Sequence, residues 1–138
     1  MKLFLNISNH PVGNWEKEQL QAMARLLDTQ EWKTMDIPFP VVNPSWDAGK
    51  VAEEGNWIVE MISFYKKGGY EPVVHIMGEM GLTVYVVSRL LKEGIRCFHS
   101  TTERIVEEGP DGKKISTFRF GRFREYIIWE TNEETKHF

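Results

Sequence analysis

The stretch that decides the fold is PVVHIMGEMGLTVYVVSRLLKEGIRCFHSTTER, which runs from Pro72 to Arg104. It predicts a strand, a glycine turn at Gly78–Gly81, an apolar helix over Leu82–Glu93, a stop at Gly94 and a second strand over Ile95–His99. Two parallel strands joined by a crossover helix place the loops that follow them at one edge of the sheet. Ligands of such sheets bind outside the carboxyl ends of the strands. We therefore expect the loops after these two strands to form a ligand site.

The remaining elements predict the rest of the fold. In chain order they are a strand at Lys2–Ile7, a helix from an N-cap at Asn14 to Asp28, a strand at Thr34–Ile37, a helix from Asp47 to Lys67, and a hairpin of Ile105-Val106 and Ile115–Phe120 about the turn Gly109–Gly112. Strands that alternate with helices predict a three-layer, Rossmann-like α/β domain. We expect a mainly parallel sheet with a C-terminal antiparallel β-hairpin, a single domain over residues 1–130, and a flexible tail at 131–138.

Composition and charge exclude several classes of partner. The chain has 138 residues, of which 41% are hydrophobic and 27% are charged, as is ordinary for a globular protein. Its formal net charge of -3 gives no general attraction to duplex DNA or to an anionic membrane, so we expect neither as a partner. No apolar run approaches the roughly 20 residues of a membrane span, and the apolar N-terminus is too short for a signal peptide. We therefore expect a cytoplasmic protein.

Cysteine and histidine usage points away from disulfide and metal chemistry. Cys97 is the only cysteine, so no intramolecular disulfide can form, and its position in a predicted strand favours a buried, inert thiol. His75 and His99 also fall inside predicted strands, which favours core or rim histidines over ligands. No cysteine or histidine spacing resembles a zinc site, and we expect no cofactor.

The glycine turn between strand and helix is the first candidate ligand site. Its candidate contacts are Gly78, Glu79, Met80, Gly81 and Thr83. Glycines let the backbone approach a ligand closely, and free amides at the start of a helix attract anions. The spacing matches neither a Walker loop nor the complete dinucleotide fingerprint, so a tight turn without a ligand is the alternative.

The loop after the first strand is the second candidate, because it faces the same edge of a doubly wound sheet. It contains Ser8, Asn9 and His10. Histidine changes its charge near neutral pH, so His10 is a candidate general acid or base. The alternative is a capped polar turn in which Asn9 bonds its own backbone.

A third candidate follows the second strand of the opening stretch. Ser100, Thr101 and Thr102 place three hydroxyl groups beside the guanidinium of Arg104 in a predicted loop. Hydroxyl groups and arginine can hold phosphate oxygens in a directional way. The alternative is a polar loop that leads into a hairpin, with an exposed Glu103–Arg104 pair of little energetic worth.

The C-terminal segment interleaves arginine with phenylalanine. Strict alternation would separate Arg119 from Arg122 and Arg124. A bulge at Gly121 would instead place all three arginines on one face and the neighbouring phenylalanines on the other. Arg122 and Arg124 are thus candidates to bind a nucleotide or a partner subunit. The alternative is a solvated outer face above a phenylalanine core.

Five short segments, spread over most of the chain, carry a family resemblance. They are Asn6–Pro11, Asp36–Pro40, His75–Gly81, Ser100–Arg104 and Arg122–Tyr126. Together they resemble small stand-alone CRISPR-associated proteins, which are similar to the CARF-type, Rossmann-like sensors and ring nucleases of type III systems. Such proteins bind cyclic oligoadenylate, usually across a two-fold dimer, and some cleave the ring and so switch off the antiviral signal.

The resemblance implies which residues form the site and how the protein assembles. Ser8–His10, Gly78–Gly81 and Ser100–Arg104 would form half of a cyclic oligoadenylate site, and the second subunit of a homodimer would supply the other half. CARF effectors carry an additional nuclease or DNA-binding domain, for which this chain has no room. We therefore expect a regulator, either a ring nuclease or a sponge that sequesters the messenger.

The mechanism implied by the resemblance is metal-independent cleavage by the substrate's own 2′-hydroxyl. His10 would act as acid or base, and Arg104 with the amides of Gly78–Gly81 would stabilise charge on the phosphate. Three alternatives remain open at this point. They are a binding-only sponge or sensor, a small nucleotide or sugar-phosphate enzyme on the same fold, and a structural subunit that docks through its Phe/Arg ribbon.

Overall fold

The computed structural model describes residues 1–129 of the chain. The strands are β1 (Lys2–Ile7), β2 (Trp32–Ile37), β3 (Glu71–Ile76), β4 (Arg96–Glu108) and β5 (Lys114–Glu125). The helices are α1 (Lys17–Leu27), α2 (Ala48–Lys67) and α3 (Met80–Lys92), and a 3-10 turn covers Val12–Asn14. The tail predicted at residues 131–138 lies outside the described residues.

The strands form one five-stranded sheet in the order β2-β1-β3-β4-β5. The first four strands run parallel, and β5 pairs antiparallel with β4. A helix connects each parallel strand to the next along the chain, as a parallel crossover requires. These features confirm the predicted α/β fold, with its mainly parallel sheet and C-terminal antiparallel pair, and are consistent with a Rossmann-like arrangement.

Side chains on the two faces of the sheet form two separate cores. Leu5 and Val74 face α2 and α3 within the larger core. Phe4 and Val73 face α1 on the opposite side. Cys97 is buried as predicted, and burial, followed by the charge of Glu125, raises its pKa to about 12. Within residues 1–129, none of the helices has the length and apolar character that crossing a bilayer requires.

The predicted N-cap of α1 at Asn14 is wrong. Asn14 lies in the 3-10 turn, where its amide bonds the carbonyl of Pro11, and α1 begins after Glu16. Trp15 is buried against Phe4, with ring centroids 5.8 Å apart. The turn before α1 places this side chain in the core, and the helix begins only after it. The end of α1 agrees with the prediction, because Asp28 takes the left-handed conformation.

The hydroxyl-rich segment at Ser100–Arg104 is a strand and not the predicted loop. It continues β4, whose pairing with β5 extends to Glu108 opposite Lys114. The β-branched threonines suit a strand, and the long-range pairing with β5 satisfies the backbone. The hairpin is therefore longer than predicted, and the polar side chains of this segment point alternately to the two faces of the sheet.

A bulge interrupts the β4–β5 pairing at the predicted position. Ser100 pairs with Phe123 and Thr102 with Phe120, so two residues of β5, the first of them Gly121, oppose one residue of β4. A Cβ at Gly121 would lie 2.6 Å from the Thr101 hydroxyl, which explains the glycine. The bulge keeps Phe120 and Phe123 on one face, with ring centroids 5.1 Å apart.

Candidate ligand-binding site at the carboxyl edge of the sheet

A cavity of about 390 Å³ opens at the carboxyl edge of the sheet. It lies where the strand order reverses, because the chain moves from β1 outward to β2 and then returns to the other side of β1 to form β3. Loops that leave a sheet on either side of such a point open a crevice, which is where ligands of these folds bind. The start of α1 and the β4–β5 hairpin supply the remaining walls.

The cavity brings together residues from three of the segments singled out in the sequence. The predicted site residues that line it are Ser8, Asn9, His10, Gly78, Ser100 and Thr102. The first three follow β1, the glycine follows β3, and the last two lie on β4. Ser8 and Ser100 are buried, whereas Asn9 and His10 are exposed at the rim.

The start of α3 does not contribute to the cavity wall. The carboxylate of Glu79 accepts hydrogen bonds from the amides of Gly81 and Leu82, at 2.9 and 2.8 Å. The hydroxyl of Thr83 donates to the carbonyl of Glu79. An anion at this helix start would have to displace the carboxylate. Glu79, Met80, Gly81 and Thr83 all lie outside the cavity lining.

The predicted basic residues also lie outside the cavity. Arg104 is on the same face of β4 as Thr102, two residues further along, and its guanidinium donates to the hydroxyl of Ser116 at 3.0 Å. Thr101 exchanges hydrogen bonds with the backbone of Arg122 at the bulge. Arg122 and Arg124 are exposed on β5 and are absent from the lining.

Aromatic side chains form an apolar wall that sequence reasoning did not assign to the site. Trp15, Phe118 and Phe120 line the cavity together with the polar residues. Trp15 is buried, whereas the ring of Phe118 is 72% exposed. An apolar wall with a few convergent polar groups is typical of a small-molecule site.

A row of polar side chains runs alongside the cavity on the α1 face of the sheet. We call it the buried polar row because its members on β1, β3 and β4 are buried, while Gln19 is half-buried and Asp36 is exposed. His75 Nδ1 lies 2.8 Å from Asn6 Oδ1, and His75 Nε2 lies 2.7 Å from Ser100 Oγ. Gln19 Nε2 donates to Ser100 Oγ at 3.1 Å, and Asn6 Nδ2 donates to Asp36 Oδ1 at 2.9 Å. These side chains form a continuous hydrogen-bonded chain from β2 through β1, β3 and β4 to α1.

The contacts of Asn6 fix the tautomer of His75. Asn6 Nδ2 faces two acceptors, Asp36 Oδ1 and the carbonyl of His10, so its Oδ1 is the atom that faces the imidazole. Because that oxygen only accepts, His75 Nδ1 carries the hydrogen and Nε2 of the neutral ring is an acceptor. The hydroxyl of Ser100 therefore donates its hydrogen to His75 Nε2.

Burial keeps the imidazole of His75 neutral. The side chain is 2% exposed, and burial, followed by the charge of His99, lowers its pKa from 6.5 to about 4. The rings of Phe4, Trp15 and Phe123 surround it. An unprotonated nitrogen is thus held at neutral pH against the hydroxyl of a serine that lines the cavity.

The loop after β1 is anchored through one carbonyl group. The carbonyl oxygen of His10 accepts hydrogen bonds from Asn6 Nδ2 at 2.8 Å, Trp15 Nε1 at 2.9 Å and Ser8 Oγ at 3.2 Å. These bonds hold the loop against β1 while the imidazole of His10 stays exposed at the cavity rim.

A second cavity of about 330 Å³ lies at the opposite, amino edge of the sheet and is lined by Lys2, Lys66 and Arg96. Each of these cations is already engaged. Lys2 donates to the carbonyl of Leu27, Lys66 donates to the carbonyl of Glu93, and Arg96 forms two hydrogen bonds with Glu125. This cavity therefore has fewer free positive charges for binding an anion than its three basic residues indicate.

The family model of the uncharacterized protein MJ1673 family matches residues 2–124. The chain belongs to this family. The matched range contains β1 to β4 and reaches Arg124 in β5, so it includes every residue of the cavity lining and of the buried polar row. No curated protein matches the chain.

In this member of the MJ1673 family, sequence reasoning missed the other members of the buried polar row. Asn6, Asp36 and Gln19 were not assigned to the site, and His75 was interpreted only as a core or rim histidine, which agrees with its burial. A signal was present, because Asn6 and His75 interrupt buried apolar strands, and a buried polar side chain needs a partner.

Proposed function

We propose that the protein binds a cyclic oligoadenylate, with cyclic tetra-adenylate as the first ring to test, and cleaves it as a metal-independent ring nuclease. The observation that carries the proposal is the meeting of three segments around one cavity: the loop after β1, the turn after β3 and the hydroxyl groups of β4. The resemblance of these segments to small CRISPR-associated proteins of type III systems supplies the identity of the ligand.

The chemistry of the lining suits an adenylate. Trp15, Phe118 and Phe120 offer aromatic surface for an adenine ring, and stacking on such surface contributes about 1–3 kcal/mol per base. Asn9 and Thr102 offer hydrogen-bonding groups to ribose hydroxyls and phosphate oxygens. Among residues 1–129, no lysine or arginine lines the cavity, so Arg104, on the same face of β4 as Thr102, is the candidate to neutralise a phosphate.

The size of the cavity supports a dimeric site. Its volume of about 390 Å³ is near the lower end of the roughly 300–1,000 Å³ of small-molecule pockets. It suits one nucleotide unit and not a whole ring of adenylates. A symmetric ring then requires a second copy of the cavity, which a two-fold homodimer supplies.

Cleavage would proceed by attack of a ribose 2′-hydroxyl on the adjacent phosphorus. The enzyme holds the 2′-oxygen in line with the leaving 5′-oxygen, and such positioning can contribute several kcal/mol. His10 is the candidate acid or base at the rim, and Arg104 is the candidate for charge stabilisation. The product is a linear oligoadenylate with a 2′,3′-cyclic phosphate.

Sequestration without cleavage is the second candidate function. One observation favours it: Glu79 occupies amides at the start of α3, so fewer donors are available to a developing phosphate charge than the sequence indicates. A sponge needs only affinity and slow release, for which the aromatic wall and the hydroxyl groups suffice.

The test uses purified protein and labelled cyclic tetra-adenylate in EDTA. A gel shift measures binding, and chromatography of the same samples measures ring opening. We expect a shift followed by a linear product with a 2′,3′-cyclic phosphate end. A 2′-fluoro analogue, which lacks the attacking hydroxyl, serves as the matched control and should bind without being cleaved. A shifted but intact natural ring supports the sponge, and absence of any shift contradicts both functions.

A further inference from the structure

We propose that Ser100 is the catalytic residue that accepts the proton of the attacking 2′-hydroxyl, and that His75 takes up the proton which Ser100 releases. This assignment rests on the ring-nuclease function proposed above. Ser100 is the member of the buried polar row that bonds the His75 ring and, from α1, Gln19, while also lining the cavity.

The hydrogen bonds of Ser100 leave one position for a ligand. A serine hydroxyl has one donor and two acceptor positions. Ser100 Oγ donates to His75 Nε2 at 2.7 Å and accepts from Gln19 Nε2 at 3.1 Å, which leaves one acceptor position. A ribose hydroxyl in the cavity can donate to it. Gln19 also fixes the orientation of the serine, since its amide supplies the second contact.

Ser100, His75 and Asn6 are hydrogen-bonded in the order that activates a serine hydroxyl in other enzymes. A serine donates to the Nε2 of a neutral histidine, whose Nδ1 is held by a side-chain oxygen, and this arrangement increases the basicity of the serine oxygen. Here Asn6 Oδ1 holds Nδ1, and the Asp36 carboxylate orients Asn6 through its amide.

The proton and electron changes balance in a single step. The 2′-hydroxyl proton passes to Ser100 Oγ as the Ser100 proton passes to His75 Nε2. The 2′-oxygen forms a bond to phosphorus, the bond from phosphorus to the 5′-oxygen breaks, and the leaving oxygen takes a proton from the imidazolium of His10. His75 ends protonated and His10 neutral, and proton exchange with solvent restores both. No covalent bond to the protein forms.

The test compares Ser100→Ala with Ser88→Ala, a serine-to-alanine control on α3 whose hydroxyl bonds only carbonyls of its own helix. Binding is measured with the 2′-fluoro ring, cleavage with natural cyclic tetra-adenylate, and folding by thermal melting. We expect Ser100→Ala to bind within about threefold of wild type and to cleave about 100-fold more slowly or worse, the lower limit of general-base effects. Ser88→Ala should match wild type in both.

Three results overturn the assignment. One is cleavage by folded Ser100→Ala at the wild-type rate. Another is binding of the natural ring by wild-type protein without ring opening, a result that supports sequestration. The third is a covalent adduct of the linear oligoadenylate on Ser100, joined through its 3′-phosphate and detected by mass spectrometry during turnover, because it shows a nucleophile and not a base. The second result also contradicts the proposed ring-nuclease function, whereas the first and third contradict only the role of Ser100. Wild-type protein that binds neither ring contradicts ligand binding itself and so differs from all three.

Discussion

Phe118 is an exposed aromatic residue in a position to contact the proposed ligand. Its ring lines the cavity and is 72% exposed, although it belongs to a paired strand. Such exposure has no role in a core, and it is typical of a platform on which a base stacks.

We expect Phe118→Ala to weaken binding of the 2′-fluoro ring by about 10-fold, within the range of about 1–3 kcal/mol for one lost stacking contact. Phe64 on α2, which is also 72% exposed but lies on the opposite layer, provides the control as Phe64→Ala. Calorimetric titration measures both affinities. Equal affinities for the two variants would contradict the stacking role.

His75 predicts how stability depends on pH. Its pKa falls from 6.5 in the unfolded chain to about 4 in the folded protein, chiefly through burial. The unfolded state therefore binds more protons between these values, and the contribution of His75 is fully present above pH 6.5 and is lost as the pH falls toward 4. The free energy of unfolding should drop by about 3 kcal/mol over this interval through His75 alone.

The matched variant is His75→Gln, which is neutral at every pH and retains hydrogen-bonding groups. Urea unfolding at pH 7.5, 6.5, 5.5 and 4.5 gives the free energy of unfolding of both proteins. We expect the wild-type curve to fall more steeply than the variant curve below pH 6.5. Parallel curves would show that His75 is not held neutral in the folded state.

At the scale of elements, the amides at the start of α3 are used in capping the helix and do not form part of the ligand cavity. Glu79 caps the helix through the amides of Gly81 and Leu82, and it lies outside the cavity. Glu79→Ala should lower the free energy of unfolding by about 1 kcal/mol, as for loss of an N-cap. Glu53→Ala, at an exposed position within α2, should stay within about 0.5 kcal/mol.

The same variants test where phosphate binds. Because Glu79 is not among the residues that line the cavity, its removal should leave affinity for the 2′-fluoro ring within about threefold of wild type. A much tighter complex for Glu79→Ala, measured by calorimetric titration, would show that the freed amides at the start of α3 receive the phosphate.

Elements with strong local signals were predictable from the sequence. β1 has the predicted limits, and α2 starts directly after Asp47, the residue at which the helix was predicted to begin. The side chain of Asp47 caps the helix by accepting from the amide of Lys50. Ser100–Arg104 was not predicted as a strand, because the pairing that satisfies its backbone comes from β5, about 20 residues further along the chain.

The candidate site was only partly predictable, for a related reason. Ser8–His10 and Gly78 follow strands, so a parallel sheet places them at one edge whatever the strand order. The contact between His75 and Ser100 depends on β3 being the neighbour of β4, and the contact between Asn6 and His75 depends on β1 lying beside β3. No local pattern encodes the strand order.

At the scale of the whole molecule, binding of a symmetric ring requires two copies of the chain. A cavity sized for one nucleotide unit cannot surround a symmetric ring. We expect sedimentation equilibrium with the 2′-fluoro ring to give a protein mass of twice 16.1 kDa, with one ring per two chains. One ring per single chain in a monomeric complex would contradict the two-fold site.

The central claim is that the carboxyl-edge cavity receives the ligand, and an NMR titration tests it most directly. Isotope-labelled protein is titrated with the 2′-fluoro cyclic tetra-adenylate in EDTA, and backbone amide shifts are followed. We predict the largest changes at Ser8–His10, Ser100 and Thr102, which line that cavity. Changes centred on Tyr70 and Arg96 at the amino edge, or no changes at all, would contradict the account.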